Sequence, residues 1–405
     1  MDAYIVDGLR TAVGKFRGTL SAVRTDDLAA IPMKALLERY GHIDPAMIDD
    51  VILGCANQAG EDNRNVARMA ILLSGMPWSV PGETINRLCS SGMSAVIHAY
   101  RAIKSNEGDL FIAGGVENMS RSPWVVSKAS FPFGNDVAMH DSSFGWRFIN
   151  PQIKELYGTH SMGETAENLV EMYDITREDQ DQFAYYSQKK AAAARDSGRF
   201  AEEITPVVIE RRKKDPLVFE KDEFIKDFTT LEGLSKLRPA FKTPQMGGTV
   251  SAGNSSGLND GAAALLIASE DGMKRNDLKP LARIVSSAVV GVEPRIMGIG
   301  PVFASQKALQ RAGLTMEDID IIEINEAFSA QILACIRKFG LEDDDPRINP
   351  NGGAIAIGHP LGMTGARLLL SVAKEMKLKS AKYALVTLCI GVGQGYAVIL
   401  EGQDC

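Results

Sequence analysis

Short apolar runs alternate with longer amphipathic stretches along the first part of the chain. Tyr4-Ile5-Val6 has the pattern of a buried strand, Asp26 to Tyr40 that of an amphipathic helix, and Asp50-Val51-Ile52-Leu53-Gly54 that of a second strand. A helix from Ser91 to Ser105 follows, and Asp109 to Gly115 forms a third strand. This order predicts βαβ units, hence a mostly parallel sheet with helices on its faces. Near the other end, Tyr383 to Leu400 is apolar enough to raise the question of a membrane span. Gly391, Gly393, Gln394 and Gly395 interrupt it, so two buried strands joined at a glycine turn explain it better.

The pattern then repeats. Lys34-Ala35-Leu36, Gly41 and Ile48 to Leu53 recur, with a one-residue slip, as Lys307-Ala308-Leu309, Gly313 and Ile319 to Ile324. In both copies a helix closes at a glycine and an acidic turn leads into a buried strand. Gly92-Met93-Ser94-Ala95 recurs as Gly362-Met363-Thr364-Gly365, and Cys89 stands to His359 at the same offset of 270 residues. The prediction is a duplicated α/β domain with halves related by a pseudo-twofold axis, which would bring Cys89 and His359 near one another. Between the copies the texture changes to a charge-rich region, with capping boxes at Ser161-x-x-Glu164 and Thr176-x-x-Asp179 and an alanine-rich helix closing at Gly198. The expected organisation is an N-terminal half over 1–120 and 249–272, an inserted loop domain over 121–248, and a C-terminal half over 273–405. Within the insertion, Arg211-Arg212-Lys213-Lys214 is expected to be a solvated face.

Composition narrows the function classes. A chain of 405 residues with 45% hydrophobic and 23% charged residues is an ordinary globular protein, not a disordered chain, coiled coil or fibre. A net charge of −7 gives no phosphate track, so nucleic acid and anionic membrane are not expected partners. A local basic pocket for a phosphorylated small molecule remains open. The five cysteines are odd in number and widely spaced, with no Cys-x-x-Cys pair, which argues against a disulfide framework and a zinc site. Reduced thiols in the cytoplasm are the simpler expectation. Met1 to Asp7 carries an early acid and no long apolar core, unlike a secretory leader, and Gln403-Asp404-Cys405 is not a peroxisomal tail.

Four segments carry candidate chemistry. Asn86-Arg87-Leu88-Cys89-Ser90-Ser91-Gly92-Met93 enters a helix, where free backbone N–H groups and the helix dipole favour a thiolate nucleophile near neutral pH. A small buried hydrophobe is the alternative, as for most free cysteines. His359 follows a glycine-rich stretch, Asn351 to Gly358, and Pro360 fixes the turn that aims it. Cys389 precedes Gly391-Val392-Gly393-Gln394-Gly395, where the glycines free backbone N–H groups for an oxyanion hole; a buried strand thiol is the alternative. Asn325-Glu326-Ala327-Phe328 follows the strand Ile321 to Ile324, where α/β sites collect polar groups, and Asn325 also suits a helix N-cap. The other histidines (His42, His98, His140 and His160) are expected at the surface or in packing.

Together these segments resemble the thiolase family, over nearly the whole chain. The motifs are Asn86-x-x-Cys89-x-Ser91-Gly92, Asn325-Glu326-Ala327-Phe328, Gly352-Gly353-x-x-x-x-Gly358-His359-Pro360 and Cys389-x-Gly391-x-Gly393-Gln394-Gly395. Val392 stands where many thiolases have glycine, and the flanking glycines are expected to preserve the oxyanion hole. The resemblance implies duplicated βαβ halves in five layers, αβαβα, and a homodimer or homotetramer without a metal or resident cofactor. It implies CoA-dependent cleavage of a 3-oxoacyl-CoA, with Cys89 as acyl carrier and His359 as base. Cys389 would move the second proton, and Asn325 and Gly391 would serve the oxyanion holes. CoA, a substrate, would be held by the loop domain. Lys226, Ala252 and Ser256 match the family's CoA contacts, and Ser161, Met162, Phe241 and Phe328 are expected on the substrate side. Ser161 stands where short-chain biosynthetic thiolases have histidine, which argues against a dedicated acetoacetyl-CoA enzyme. Gly54 to Asn65 and Gly145 to Pro151 look like the 3-oxoadipyl-CoA thiolases of aromatic-acid breakdown, and a terminal carboxylate would need Arg147 or Arg64. The alternatives are an acetoacetyl-CoA thiolase, a decarboxylating condensing enzyme and a non-catalytic acyl-CoA or lipid carrier. The intact Cys89, His359 and Cys389 argue against the last two.

Overall fold

The computed structural model describes residues 1–403; Asp404 and the fifth cysteine, Cys405, lie outside the described residues. The first copy contributes β1 (Ala3–Thr11), β2 (Asp50–Gly54), β3 (Gly82–Ile85), β4 (Leu110–Asn118) and β5 (Asn259–Ser269), in the order β3-β2-β4-β5-β1. The second contributes β6 (Ala282–Gly291), β7 (Ile321–Ile324), β8 (Tyr383–Ile390) and β9 (Gln394–Gly402), in the order β7-β8-β9-β6. Ile348 bridges in parallel to Ile322, in the position that β3 takes beside β2. Pair by pair the copies agree. β2–β4 and β7–β8 are parallel, and the pairs that follow, through β5 and β9 to the first strand of each copy, are antiparallel. The two arrays join edge to edge where Tyr4 meets Arg283 and Ile5 meets Ala282.

Helices cover both faces, which is why the strands read as continuous apolar runs rather than alternating ones. On the outer face of the first array lie α1 (Thr25–Arg39) and α2 (Val66–Leu73). The central layer is α3 (Ser91–Lys104). Against it packs a late helix, Leu361–Lys379, whose every residue from Gly362 to Met376 is buried. Between them in sequence come α4 (Met162–Tyr173) and α5 (Arg177–Asp196) of the insertion, then α6 (Gly300–Ala312) and α7 (Ser329–Phe339) on the outer face of the second array. The late helix is therefore α8. Both expected capping boxes are formed, at Ser161 with Glu164 and at Thr176 with Asp179. The basic run Arg211 to Lys214 lies exposed at a hairpin turn.

Three features departed from the sequence pattern. The sheet is not mostly parallel: β2–β3, β2–β4 and β7–β8 are parallel, whereas β4–β5, β5–β1, β1–β6, β6–β9 and β9–β8 are antiparallel, the last because a tight turn rather than a crossover helix joins its strands. α2 and β3 are short: Leu72 and Leu73 of α2 are exposed, and Gly82-Glu83-Thr84-Ile85 is a four-residue edge strand, so neither shows a clear period. α6 closes with Gly313 in the left-handed region at φ 68°, whereas α1 ends at Arg39 and Tyr40, not Gly41, closes it.

α3 and α8 touch through their backbones. A Cβ on Gly92 would lie 2.6 Å from the Gly362 carbonyl oxygen, and one on Gly365 would lie 2.5 Å from the Met93 nitrogen. The insertion is tied down by buried charge. Arg10 of β1 meets Glu203 and Asp222 at 2.7 Å each, and Arg199 reaches Glu203 at 3.2 Å and Glu375 of α8 at 2.9 Å. Charges so deep are tolerated because each is paired.

The glycine crossing yields a test. Gly365→Ala should raise helix propensity by about 1 kcal/mol, but overpacking against Met93 should cost about 1–3 kcal/mol. The second effect is expected to win, giving a lower urea midpoint and a lower kcat; a higher midpoint would contradict the crossing.

Candidate active site

Cys89 sits in the turn Leu88–Ser90 that opens α3, and this turn packs against both α8 and β8. Leu88 is held at φ 48°, a left-handed conformation that a leucine adopts only when its surroundings impose it. Ser91 imposes it in part, since its Oγ accepts from Arg87 N–H at 2.9 Å and donates to the Leu88 carbonyl at 2.7 Å. Arg87 then donates to Ser94 at 3.0 Å and to Gln394 at 3.1 Å, which fastens the Cys89 turn to the β8–β9 turn.

From that second turn the Gly391 N–H points at the Cys89 sulfur, beside the Cys89 residue's own N–H. Val392 follows at φ 64°. A left-handed conformation there costs a non-glycine residue about 1–2 kcal/mol, and the strained side chain lies on the wall of the site. Cys389, at the end of β8, is 1% exposed and packs with Met162, Ala327 and Phe328.

Asn325 follows β7, and its backbone N–H donates to the Thr387 carbonyl at 2.9 Å. It is not the N-cap of α7. That helix starts at Ser329 with Phe328 in the cap position, because Phe328 is held extended by its bridge to Ser255. The Asn325 side chain is used elsewhere. Its Nδ2 lies 3.4 Å from His359 Nε2, and its Oδ1 is buried without a partner among the described residues.

The His359 ring is oriented by Thr364, one turn into α8. Thr364 Oγ1 lies 2.8 Å from His359 Nδ1 and 2.8 Å from the Pro360 carbonyl. A carbonyl only accepts, so the hydroxyl proton goes to Pro360 and Oγ1 accepts from Nδ1–H. This leaves Nε2 as the bare, basic nitrogen. The His359 backbone is set by its N–H, which donates to Asn259 Oδ1 at 2.9 Å. A side chain at Gly358 (φ 111°) would collide with that same asparagine.

The protonation states overturn one expectation. The helix start and two N–H groups favour a Cys89 thiolate, but burial outweighs them and pushes the thiol above its ordinary value. Burial also pushes Cys389 well up, with the neighbouring Cys89 adding to it. His359 is pulled down to about 3, first by burial and then by the charge of Arg367. At neutral pH the resting site is thus a pair of thiols and a neutral imidazole, and a thiolate forms only as the thiol reacts.

A cavity of about 730 Å³ opens over Cys89. Its lining brings Cys89, Gly391 and Val392 together with Ser161, Met162 and Phe241 of the insertion and with the Ser142–Arg147 loop. His359, Cys389 and Asn325 are buried and do not line it; Cys389 neighbours Cys89, and Asn325 neighbours His359. Arg147 lines the cavity with only a 3.5 Å contact to the Ser142 carbonyl, and it has no carboxylate partner among the described residues. Arg64 is exposed and not part of the lining, so it is not the cation of this cavity.

The expected CoA contacts lie outside the lining, yet a continuous ridge leads to them. Phe241 meets Phe328 edge-on at 6.0 Å; Ser256 N–H donates to the Ala327 carbonyl; and the Phe224 ring lies against Gly257 with Lys226 Nζ 4.7 Å above it. Ala252 and Lys226 are exposed. Two site residues were missed in the sequence, Thr364 and Glu117. The first had a signal, being the counterpart of Ser94 in the repeat. The second was the lone acid in the apolar run from Leu110 to Val116 and Asn118.

Two thiols, an imidazole of fixed tautomer and backbone N–H donors at a cavity define a cysteine-dependent acyltransferase on a duplicated α/β fold. The family model of the thiolase N-terminal domain matches residues 3–271, and that of the thiolase C-terminal domain matches residues 278–402. The chain belongs to the thiolase family. It is 56% identical over 400 residues to the 3-oxoadipyl-CoA/3-oxo-5,6-dehydrosuberyl-CoA thiolase of Escherichia coli K12, covering 99% of each. It is 55% identical to a beta-ketoadipyl-CoA thiolase of Acinetobacter baylyi, covering 98% of this chain and 99% of that one. The crystal structure of human mitochondrial 3-ketoacyl-CoA thiolase superposes with a TM-score of 0.91 at 39% identity, over 99% of both chains.

Thr364→Val keeps the shape but removes the acceptor for Nδ1–H. It should lower kcat by about 100-fold, within the range general-base catalysis supplies, while Thr364→Ser should stay near wild type. Equal kcat values for Val and Ser would show that the hydroxyl does not set the tautomer.

Proposed function

We propose that the chain catalyses the CoA-dependent cleavage of 3-oxoadipyl-CoA to succinyl-CoA and acetyl-CoA. The observation that carries this reading is Arg147, a cation on the wall of the cavity above Cys89 that has no carboxylate partner among the described residues. A six-carbon 3-oxo acid bound as its CoA thioester presents a second carboxylate at the far end, and a guanidinium is the side chain suited to receive it. The names of the relatives from Escherichia coli and Acinetobacter baylyi support the same substrate. Ser161 supports it too, since it caps α4 and leaves the acyl side without an imidazole.

The Cys89 sulfur attacks the C3 carbonyl as its proton passes to His359 Nε2. The oxygen of the resulting adduct is received by the N–H groups of Cys89 and Gly391, each such donor supplying about 3 kcal/mol. The C2–C3 bond breaks, leaving a succinyl thioester on Cys89 and the electron pair on C2 of an acetyl-CoA enolate. That enolate is stabilised at its thioester oxygen by His359 and by a water held on Asn325. Cys389 protonates C2, and acetyl-CoA departs. The Cys389 thiolate then takes the proton of an incoming CoA thiol, whose sulfur attacks the succinyl thioester; succinyl-CoA leaves, and the Cys89 sulfur takes its proton back from His359. Two thiols are required because one is occupied by the acyl group while the other moves the proton.

In this reading Phe241 and Lys226 of the insertion hold CoA together with Ala252 and Ser256 of the N-terminal half and Phe328 of the C-terminal half. A cytoplasmic homodimer or homotetramer fits the exposed Trp78, Trp124, Phe131 and Phe133, which a second copy would cover. Among the described residues no helix is long and apolar enough to cross a membrane.

The test is kcat/KM for 3-oxoadipyl-CoA, acetoacetyl-CoA and a longer uncharged 3-oxoacyl-CoA. 3-Oxoadipyl-CoA should be preferred, and Arg147→Gln should lower its value by about 10- to 100-fold, the worth of a hydrogen-bonded charge, with acetoacetyl-CoA unaffected. Equal values for the three thioesters would remove the substrate assignment. Loss with all three in Arg147→Gln would remove the role of Arg147.

A further inference from the structure

We infer that Glu117 is a positioning residue, a single carboxylate that locks the His359 loop of the second copy onto the Cys89 side of the first. The inference rests on the acyl-transfer reading above and adds a residue to which that reading gives no task. Glu117 stands near the end of β4, is 3% exposed, and lies at the wall of the cavity. One carboxylate oxygen accepts from Ala56 N–H at 2.9 Å and from Gly362 N–H at 2.9 Å; the other accepts from Asn57 N–H at 3.0 Å. Ala56 and Asn57 belong to the loop after β2, whereas Gly362 lies three residues after His359 at the start of α8. No other described side chain is hydrogen-bonded to the Gly362 N–H.

The reach extends to the other wall. Asn57 Nδ2 donates to the Ser142 carbonyl at 3.2 Å and to Ser142 Oγ at 3.0 Å, and that carbonyl is the one Arg147 leans on. A change at Glu117 is therefore transmitted to both sides of the cavity without a contact to the reacting atoms.

Three N–H donors favour the charged carboxylate, and burial opposes it. Burial wins in part and pushes the group up to about 7. The ionised form, which accepts all three bonds, therefore dominates above that pH, and the lock weakens as pH falls through it. The groups that face Glu117 do not mimic this. The Cys55 and Cys89 thiols are pushed up and His359 is pulled down, so all three stay neutral. Asp62 of the same loop is also raised by burial. Asp260 on the adjacent strand is raised to about 6, but it is bound to Ser120. Arg147 and Glu164 line the cavity and do not bond to either loop.

The test compares Glu117→Gln and Glu117→Asp with wild type. The amide keeps the volume but offers one acceptor oxygen to three N–H groups. It should lower kcat by about 10- to 100-fold, the scale of a displacement of roughly 1 Å, with KM for CoA and thioester within about twofold. The acidic limb of the wild-type kcat profile near pH 7 should vanish in Glu117→Gln and persist in Glu117→Asp. Unchanged kcat and an unchanged acidic limb would overturn the inference. Hydrogen exchange at pH 8 reads the lock without substrate: uptake should quicken at Gly358 to Gly362 and at Ala56 and Asn57 in Glu117→Gln, and unchanged uptake there would also overturn it. Should Glu117→Gln not fold, Glu117→Asp decides alone, since a lowered kcat with faster exchange at the two loops supports the lock and wild-type values on both contradict it. A wild-type enzyme that cleaves no 3-oxoacyl-CoA would sink the proposed reaction, while the exchange measurement would still decide the role of Glu117.

Discussion

The backbone contact between α3 and α8 is the constraint on which the site depends. Gly92 and Gly362 are counterparts in the repeat, and they meet where the two central helices cross. Without side chains at the crossing, the helix starts approach closely enough for the Cys89 turn to pack on α8, the helix that His359 immediately precedes. One copy supplies the nucleophile, and the other supplies the base, the second thiol and the amide. Neither half has a complete site, so the duplication is a functional requirement as well as an architectural one. Both expected acyl-transfer partners follow from this: a thiol from one helix start and an imidazole from its equivalent.

Burial then fixes the resting chemistry. The two thiols and the imidazole are all held neutral, although the helix start and the N–H donors pull Cys89 the other way. A neutral pair, with His359 buried and Cys89 at the cavity wall, avoids the desolvation cost of a standing thiolate–imidazolium pair. Charge appears only when a carbonyl is attacked, at the place where fixed N–H dipoles wait for it. Those dipoles need no rearrangement because Leu88 and Val392 are already held in left-handed conformations by Ser91, Arg87 and the β8–β9 turn. Backbone strain in the resting protein thus helps to aim the donors.

Much of this was legible in the chain. The alternating elements and the 270-residue repeat give the fold because each copy must bury a sheet between helices, and that need writes the same apolar spacing twice. Cys89, His359, Cys389 and Asn325 stand out because each follows a strand or opens a helix beside glycines. What was not legible depends on competition or on contacts across the fold. The acidity of Cys89 is a contest between dipole and burial, and sequence shows only the dipole. Asn325 has the composition of an N-cap, but the link from Glu326 to Phe328 displaces the helix start. Arg64 and Arg147 are equal in sequence, and only the course of the loop from Ser142 places one of them at the cavity. Glu117 has partners at positions 56, 57 and 362, a set no local pattern encodes.

The most direct measurement of the central claim is the mass of the protein after brief mixing with 3-oxoadipyl-CoA in the absence of free CoA. The account predicts one succinyl group per chain, carried by the peptide containing Cys89, together with one equivalent of acetyl-CoA in solution. Acetyl-CoA release without a succinyl adduct, or an adduct on Cys389 instead of Cys89, would contradict it.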